Sequence, residues 1–339
     1  MKYLLTIINL LIIGLIYAQT PNNDLNWAPF WIDNFNTFDT GKWFVFDNHI
    51  HEAEPQLYKN ENVWVSDGNL IIKVNNNKSI CPNSVPYQID YCLPGQIYNY
   101  SSGWIETKQA YAIHFGYIEA HIKVPHHKGL WPAFWTLLKD GLHHEEPDHN
   151  AAEIDIFEIY AHEPTNHLET NLHHTYDYSI EPASKHLQKH DLNNFTYTDW
   201  HTYAIEWDPN KIIWYVDYSP IRISYNHGIT DPIRLILNVA IENNAKYWPD
   251  TFPYFEKRMY IDYVKTYTLK CDNQTVIMEI PDFNAYDYSV KKSITLGNGT
   301  IIPTASDITL RANDFIELLP GFEVPTESEL YLDVSPCGD

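Results

Sequence analysis

Positive charge is scarce in this 339-residue sequence. Lys and Arg number 22 against 44 Asp and Glu, which gives a formal net charge of −22. Nucleic acids and anionic membrane surfaces are bound through positive charge, so neither is an expected partner. A strongly anionic polysaccharide is disfavoured for the same reason. Helical periodicity is almost absent, which argues against bundles and α/β folds. Beyond residue 18 no apolar run is long enough to span a bilayer. The cysteines Cys81, Cys92, Cys271 and Cys337 never fall at C-x₂₋₄-C spacing, which disfavours a zinc site. Tryptophan is missing after residue 248, although eleven occur between residues 27 and 248.

What the chain has is aromatic and β-forming. It carries 14 Phe, 25 Tyr and 11 Trp, an enrichment suited to strands, cores and flat binding platforms rather than to disorder. "GYIEAHIKV" alternates Ile118, Ala120, Ile122 and Val124 against Glu119, His121 and Lys123. "TYAIEWDPNKIIWYVDYSPIRISY" reads as β runs broken at Asp208-Pro209-Asn210, and "RLILNVAI" and "MYIDYVKTYTL" add two more. Many short strands with regular turns predict an all-β sandwich of two antiparallel sheets.

Residues 1–18, "MKYLLTIINLLIIGLIYA", combine Lys2, an apolar stretch from Leu4 to Ile16 and a small residue at Ala18. This is the pattern of a secretory signal peptide, with an uncleaved anchor as the alternative. Export makes disulfides expected. Four cysteines allow three pairings. Cys81 and Cys92 bracket a Pro/Asn-rich loop, and Cys271 and Cys337 bracket the C-terminal segment, so those two pairs are expected. The predicted organisation is a signal peptide at 1–18, a β domain at 19–270 and a small disulfide-tied β module at 271–339. Sequons such as Asn77, Asn99 and Asn298 carry little weight, because N-x-S/T is common by chance.

The chemistry concentrates in "EIDIFEIY", residues Glu153 to Tyr160. Its carboxylates stand at offsets 0, 2 and 5. On a helix, Glu153 and Glu158 would diverge by roughly 140°. On a regular strand, Glu153 and Asp155 share one face and Glu158 takes the other. One β-bulge between Asp155 and Glu158 brings all three to one side, with Ile154 and one of Ile156 or Phe157 turned to the core. Crowded acids raise the proton affinity of at least one member. A protonated acid beside an ionised one is the arrangement used to cleave glycosidic bonds. A bare E-x-D-x-x-E nevertheless occurs by chance, and a solvated acidic strand face would show it too.

Further motifs turn the pattern into a resemblance. "FWIDNFNTFDTGKW", "ENVWVSDGNLIIKV", "SSGWIETKQAYAIHFGYIEAHIKVP", "GLWPAFWTLL", "HTYAIEWDPNKIIWYVD", "LILNVAI" and "MYIDYVKTY" stand in the order found in glycoside hydrolase family 16. Over residues 27–268 the chain resembles the β-bulge, laminarinase-like members of that family. The resemblance implies a β-jelly-roll with a concave sugar cleft and a retaining endo-β-glycanase activity. Glu153 would be the nucleophile, Glu158 the general acid/base and Asp155 the hydrogen-bonding partner between them. Trp131 and Trp135, on one face of a strand, would stack on sugar rings, with core packing as the other reading. His173 would reach the acids, with His174 as the alternative register. Trp104 and Asn238 would also contact substrate.

Asp262 matches a position where relatives often hold a structural calcium, which would also need backbone oxygens such as that of Gly68. No redox or organic cofactor is implied. "HHEEPDHN", residues 143–150, gathers metal-capable groups without a fixed ligand spacing, and reads as a solvated loop. The chain departs from the resemblance twice, with Trp104 where relatives often have Arg and Glu242-Asn243-Asn244 where they tend to have Gly-Gly. Acidic charge and the general resemblance favour a neutral β-1,3-glucan, with agarase-, carrageenase- or lichenase-type specificity in the same fold as the alternative. The expected protein is a monomer, secreted or held at the cell surface or in the periplasm. A non-catalytic glucan-binding protein and a transglycosylase are the rival readings.

Overall fold

A computed structural model describes residues 27–334, apart from 52–53, 86–90, 140–151, 175–185, 209–210, 227–228, 230, 252, 270–274, 278–284, 288–290, 297–301, 303 and 305–306. The apolar stretch at 1–18, the loop at 143–150, Asn298, Cys271 and Cys337 therefore lie outside the described residues, as does the side chain of His174. Among the described residues, no helix is long and apolar enough to cross a membrane.

The chain is all-β, as its alternating runs predict. One ten-stranded sheet runs Ser219–Tyr225 (β17), Lys211–Val216 (β16), Trp200–Trp207 (β15), Gly116–Lys123 (β10), Glu256–Leu269 (β19), Asn69–Asn75 (β5), Tyr100–Ser102 (β8) and Gln56–Tyr58 (β3). Trp27–Asp33 (β1) joins β19, and Val63–Ser66 (β4) joins β5. A seven-stranded sheet runs Gln188–Asp191 (β14), His167–His174 (β13), Ala152–Glu158 (β12), Leu130–Leu138 (β11), Ile233–Ile241 (β18), Trp104–Thr107 (β9) and Trp43–Val45 (β2). The pairings are antiparallel apart from β3 with β8.

The inner faces of the two sheets close on one core. Ile118, Ala120 and Ile122 of β10 meet Phe134, Ile154, Phe157, Leu235 and Leu237 from the other sheet, all buried. The alternation read in "GYIEAHIKV" thus assigns its inward side chains correctly. Antiparallel sheets buried on one face leave the other face available for a site.

Ser79–Ile80 (β6) and Ile97–Tyr98 (β7) pair beside the Cys81–Cys92 disulfide, whose Cα atoms are 5.8 Å apart. Beyond residue 270, Thr275–Ile277 (β20), Ala285–Asp287 (β21), Lys291–Leu296 (β22), Asp307–Leu318 (β23) and Glu329–Val334 (β24) form a separate five-stranded sheet with parallel pairings throughout. Its Ile294, Leu296, Leu310 and Ala312 bury against Ile213 of β16, with Tyr215 and Ile223 alongside.

Candidate active site

Strand β12 carries the bulge that the 0, 2, 5 offset requires. Against β13, Asp155 faces Asn171 and Glu158 faces Glu169, so three steps on one strand match two on its neighbour. Against β11 the break falls between the Phe134–Phe157 and Trp135–Asp155 pairs, which makes Ile156 the extra residue. Ile156 and Phe157 both enter the core, where one of them was expected. The bulge turns two successive side chains inward and returns Glu158 to the outer face. From the opposite sheet, the Trp214 indole N–H donates to the Asp155 carbonyl at 2.8 Å, satisfying the backbone that the bulge displaces.

The acids meet their partners on that outer face. His173 of β13 pairs in register with Glu153, and its Nε2 lies 3.5 Å from Glu153 Oε1 and 3.4 Å from Asp155 Oδ2. The described register therefore brings His173 to the acids. Trp131 Nε1 donates to Glu158 Oε1 at 3.0 Å, and the Tyr160 hydroxyl donates to the same oxygen at 3.4 Å. The Trp131 and Tyr160 rings stack with centroids 5.0 Å apart.

Electrostatics separates the members of the cluster. Burial and the neighbouring charges of Asp155 and Glu153 hold the Glu158 carboxyl well above the ordinary carboxylate range. Burial opposes a charge on His173. The hydrogen bond to Asp155 and the charges of Glu153, Asp155 and Glu158 outweigh it, pushing the imidazole up to about 10. Both shifts favour the protonated forms, of the Glu158 carboxyl and of the His173 imidazole beside Glu153 and Asp155. Donor atoms of Glu153, Asp155 and His173 lie within 4.8 Å of one another, a spacing that could also hold a metal ion.

The remaining sequence candidates divide. Trp131 is partly exposed beside Glu158. Trp135 does not have the exposure expected of a stacking platform: it is 6% exposed, and its Nε1 donates to Asn238 Oδ1 at 3.0 Å. Asn238, also buried, donates from Nδ2 to the Tyr58 hydroxyl at 3.0 Å. Trp104 is 2% exposed, packed edge-on against Trp135 and Tyr58 with the His51 ring 5.1 Å away. Phe46, His49, His51 and Tyr58 cover this end of the outer face, and no alternation within β9 or β11 could reveal that cover.

The structure places Asp262 with its Oδ2 against His121 Nδ1 at 3.0 Å. Gly68 stands at φ +72° in the turn between β4 and β5, a backbone region that favours glycine.

Sequence reading missed Tyr160, although period 2 resumed after Glu158 puts it on the acid face. It also missed Arg222. This guanidinium is 5% exposed, donates from Nη1 to Thr170 Oγ1 at 3.1 Å and lies 4.2 Å over the Trp214 ring. Burial lowers its pKa to about 10, while Asp155 acts in the opposite direction.

Comparison with known proteins meets this geometry. Residues 50–265 match the profile of "Glycosyl hydrolases family 16". The chain belongs to that family. It is 28% identical over 272 residues to glucan endo-1,3-beta-glucosidase A1 of Niallia circulans, covering 70% of this chain and 37% of that protein. A beta-glucanase of Rhodothermus marinus is 27% identical, with 71% and 85% covered. Among solved structures, the catalytic domain of an endo-1,3-beta-glucanase (laminarinase) from Thermotoga petrophila RKU-1 superposes with a TM-score of 0.61 at 27% identity, covering 72% of this chain and 98% of that one. The chain spans little more than a third of the length of the first curated relatives it matches, 35–37%.

Proposed function

We propose that this family 16 chain is a retaining endo-β-glucanase whose substrate is a β-1,3-glucan of the laminarin type. The observation that carries the reading is the bulged β12, which brings Glu158 to the face of Glu153 and Asp155, where burial and their charges raise its carboxyl above the ordinary carboxylate range. In this mechanism Glu158 donates its proton to the glycosidic oxygen as the bond breaks. Glu153 attacks the anomeric carbon and forms a glycosyl-enzyme. Glu158, now a base, takes a proton from the incoming water, which releases the sugar and regenerates both groups. Asp155 and the His173 cation fix the position and charge of Glu153. Membership of the family and the relatives' stated activities support the substrate class. The −22 charge fits a neutral glucan better than a sulfated one. We also propose that the protein is exported, on the pattern of residues 1–18.

Purified protein should release reducing ends from laminarin. Glu153→Gln should lower the rate by on the order of 10³-fold or more while binding persists. Binding without product from laminarin, mixed-linkage glucan, agarose and carrageenan would overturn the enzyme reading. Product from one of the latter three alone would replace the substrate.

A further inference from the structure

From Glu158 a row of rings leads away from Glu153. Trp131 stacks on Tyr160, the Tyr160 and His162 centroids are 6.2 Å apart, and His162 stacks on Tyr247 at 3.7 Å with an interplanar angle of 10°. The row ends at an open cavity of about 630 Å³, lined by His162 and Tyr247 with Lys128, Glu163 and Thr165 among its polar walls. This rim is built rather than incidental. Glu242 is 3% exposed, and its Oε1 lies 2.7 Å from His162 Nδ1, fixing the imidazole in its stack. The Glu242 N–H donates to the Gly129 carbonyl at 3.0 Å, and the Trp248 indole donates to the Glu242 carbonyl at 2.7 Å. Gly129 has φ +82°, and a Cβ there would strike the Tyr247 carbonyl and Pro249, so the glycine lets the two loops close on each other. Glu242 opens the Glu-Asn-Asn segment that stands where family relatives tend to have Gly-Gly.

We propose that His162, Tyr247 and Glu242 form a saccharide subsite on the leaving-group side of the scissile bond. The inference rests on the glucanase reading and deepens it. A general acid reaches the glycosidic oxygen, so a surface continuing from Glu158 away from the nucleophile meets the sugar that departs. Aromatic surface with a mixed donor and acceptor rim suits a neutral pyranose, whose C–H faces are apolar and whose hydroxyls hydrogen-bond in both directions. Glu242 acts by holding His162, and is a positioning residue for the subsite.

The test is the bond-cleavage pattern of laminarihexaose labelled with ¹⁸O at its reducing end, read by mass spectrometry for the full-length protein. Loss of a leaving-group subsite removes the preference for complexes with more sugar on the reducing-end side. His162→Ala and Tyr247→Ala should therefore move cleavage toward the reducing end, changing the ratio of adjacent bond cleavages by about tenfold. Glu242→Gln should move it in the same direction, and Tyr247→Phe should keep the original pattern. A ratio within one substrate is insensitive to the fraction of protein that folds. An unchanged pattern in both alanine variants, or a shift toward the non-reducing end, overturns the subsite and leaves the glucanase reading standing. A wild-type protein that cleaves no bond of the hexaose overturns the subsite together with the β-1,3-glucan assignment.

Discussion

Both donors to Glu158 reach one oxygen, Oε1, which leaves Oε2 to carry the proton. That division has a measurable consequence for stability. The folded-state carboxyl binds its proton more tightly than an unfolded glutamate, whose pKa is about 4.3. The native protein therefore holds more protons than the unfolded chain above that pH, and its stability falls as pH rises toward the folded-state value. Glu158→Gln removes this dependence. The variant should melt higher than wild type at pH 8, with the gap shrinking toward pH 4. A gap independent of pH would contradict the raised carboxyl. His173 runs with the opposite benefit. Its pKa rises from 6.5 to about 10, so its contribution is complete below pH 6.5 and is lost as pH climbs through about 10. His173→Gln should cost more stability at pH 6 than at pH 10, measured by melting at both. Equal costs would exclude an imidazolium at His173.

At the scale of the element, the bulge is a single extra residue, Ile156. Deleting it converts the acid offsets to 0, 2 and 4, which a regular strand also presents on one face. Deleting Ile154 instead separates Glu153 and Asp155 onto opposite faces. We expect measurable laminarin hydrolysis from the first deletion and none from the second. Loss of the buried Ile156 side chain should cost about 2–4 kcal/mol, read by denaturant titration. Equal inactivity of two folded deletion variants would show that the bulge itself, and not face placement, is required.

This element was legible because period 2 converts spacing directly into facing, and an odd offset among acids then demands a bulge. The same rule told less about β11 and β9. It placed Trp135 with Trp131 but could not say that His51, distant in sequence, packs against both Trp135 and Trp104. Arg222 was hidden for a related reason. In "SPIRISY" the apolar partners are Ile221 and Ile223, and alternation alone would turn them inward and the arginine outward. Ile223 is instead covered from outside by the C-terminal sheet, which frees the inner face for Arg222.

That outside cover links the two ends of the molecule. Ile213 on β16 is 3% exposed only because Ile294, Leu296, Leu310 and Ala312 pack on it. Neighbouring β17 carries Ile223 on the same covered face and Arg222 toward Trp214, whose indole holds the Asp155 carbonyl. The C-terminal sheet thus braces the strand pair that supports the bulge from behind. A chain ending at residue 269 would expose Ile213, Tyr215 and Ile223 together, an apolar patch that invites association. We expect that truncation to lower the melting temperature and to promote aggregation, while monomer that remains folded still cleaves laminarin. Ile213→Ser with Ile223→Ser in the full-length chain should reproduce the destabilisation, because the lost contact is the same. Calorimetry of both proteins decides the point. A truncated chain as stable and as monodisperse as the full one would mean that the C-terminal sheet contributes nothing to the catalytic sandwich. Its cover over β16 and β17 would then be incidental packing.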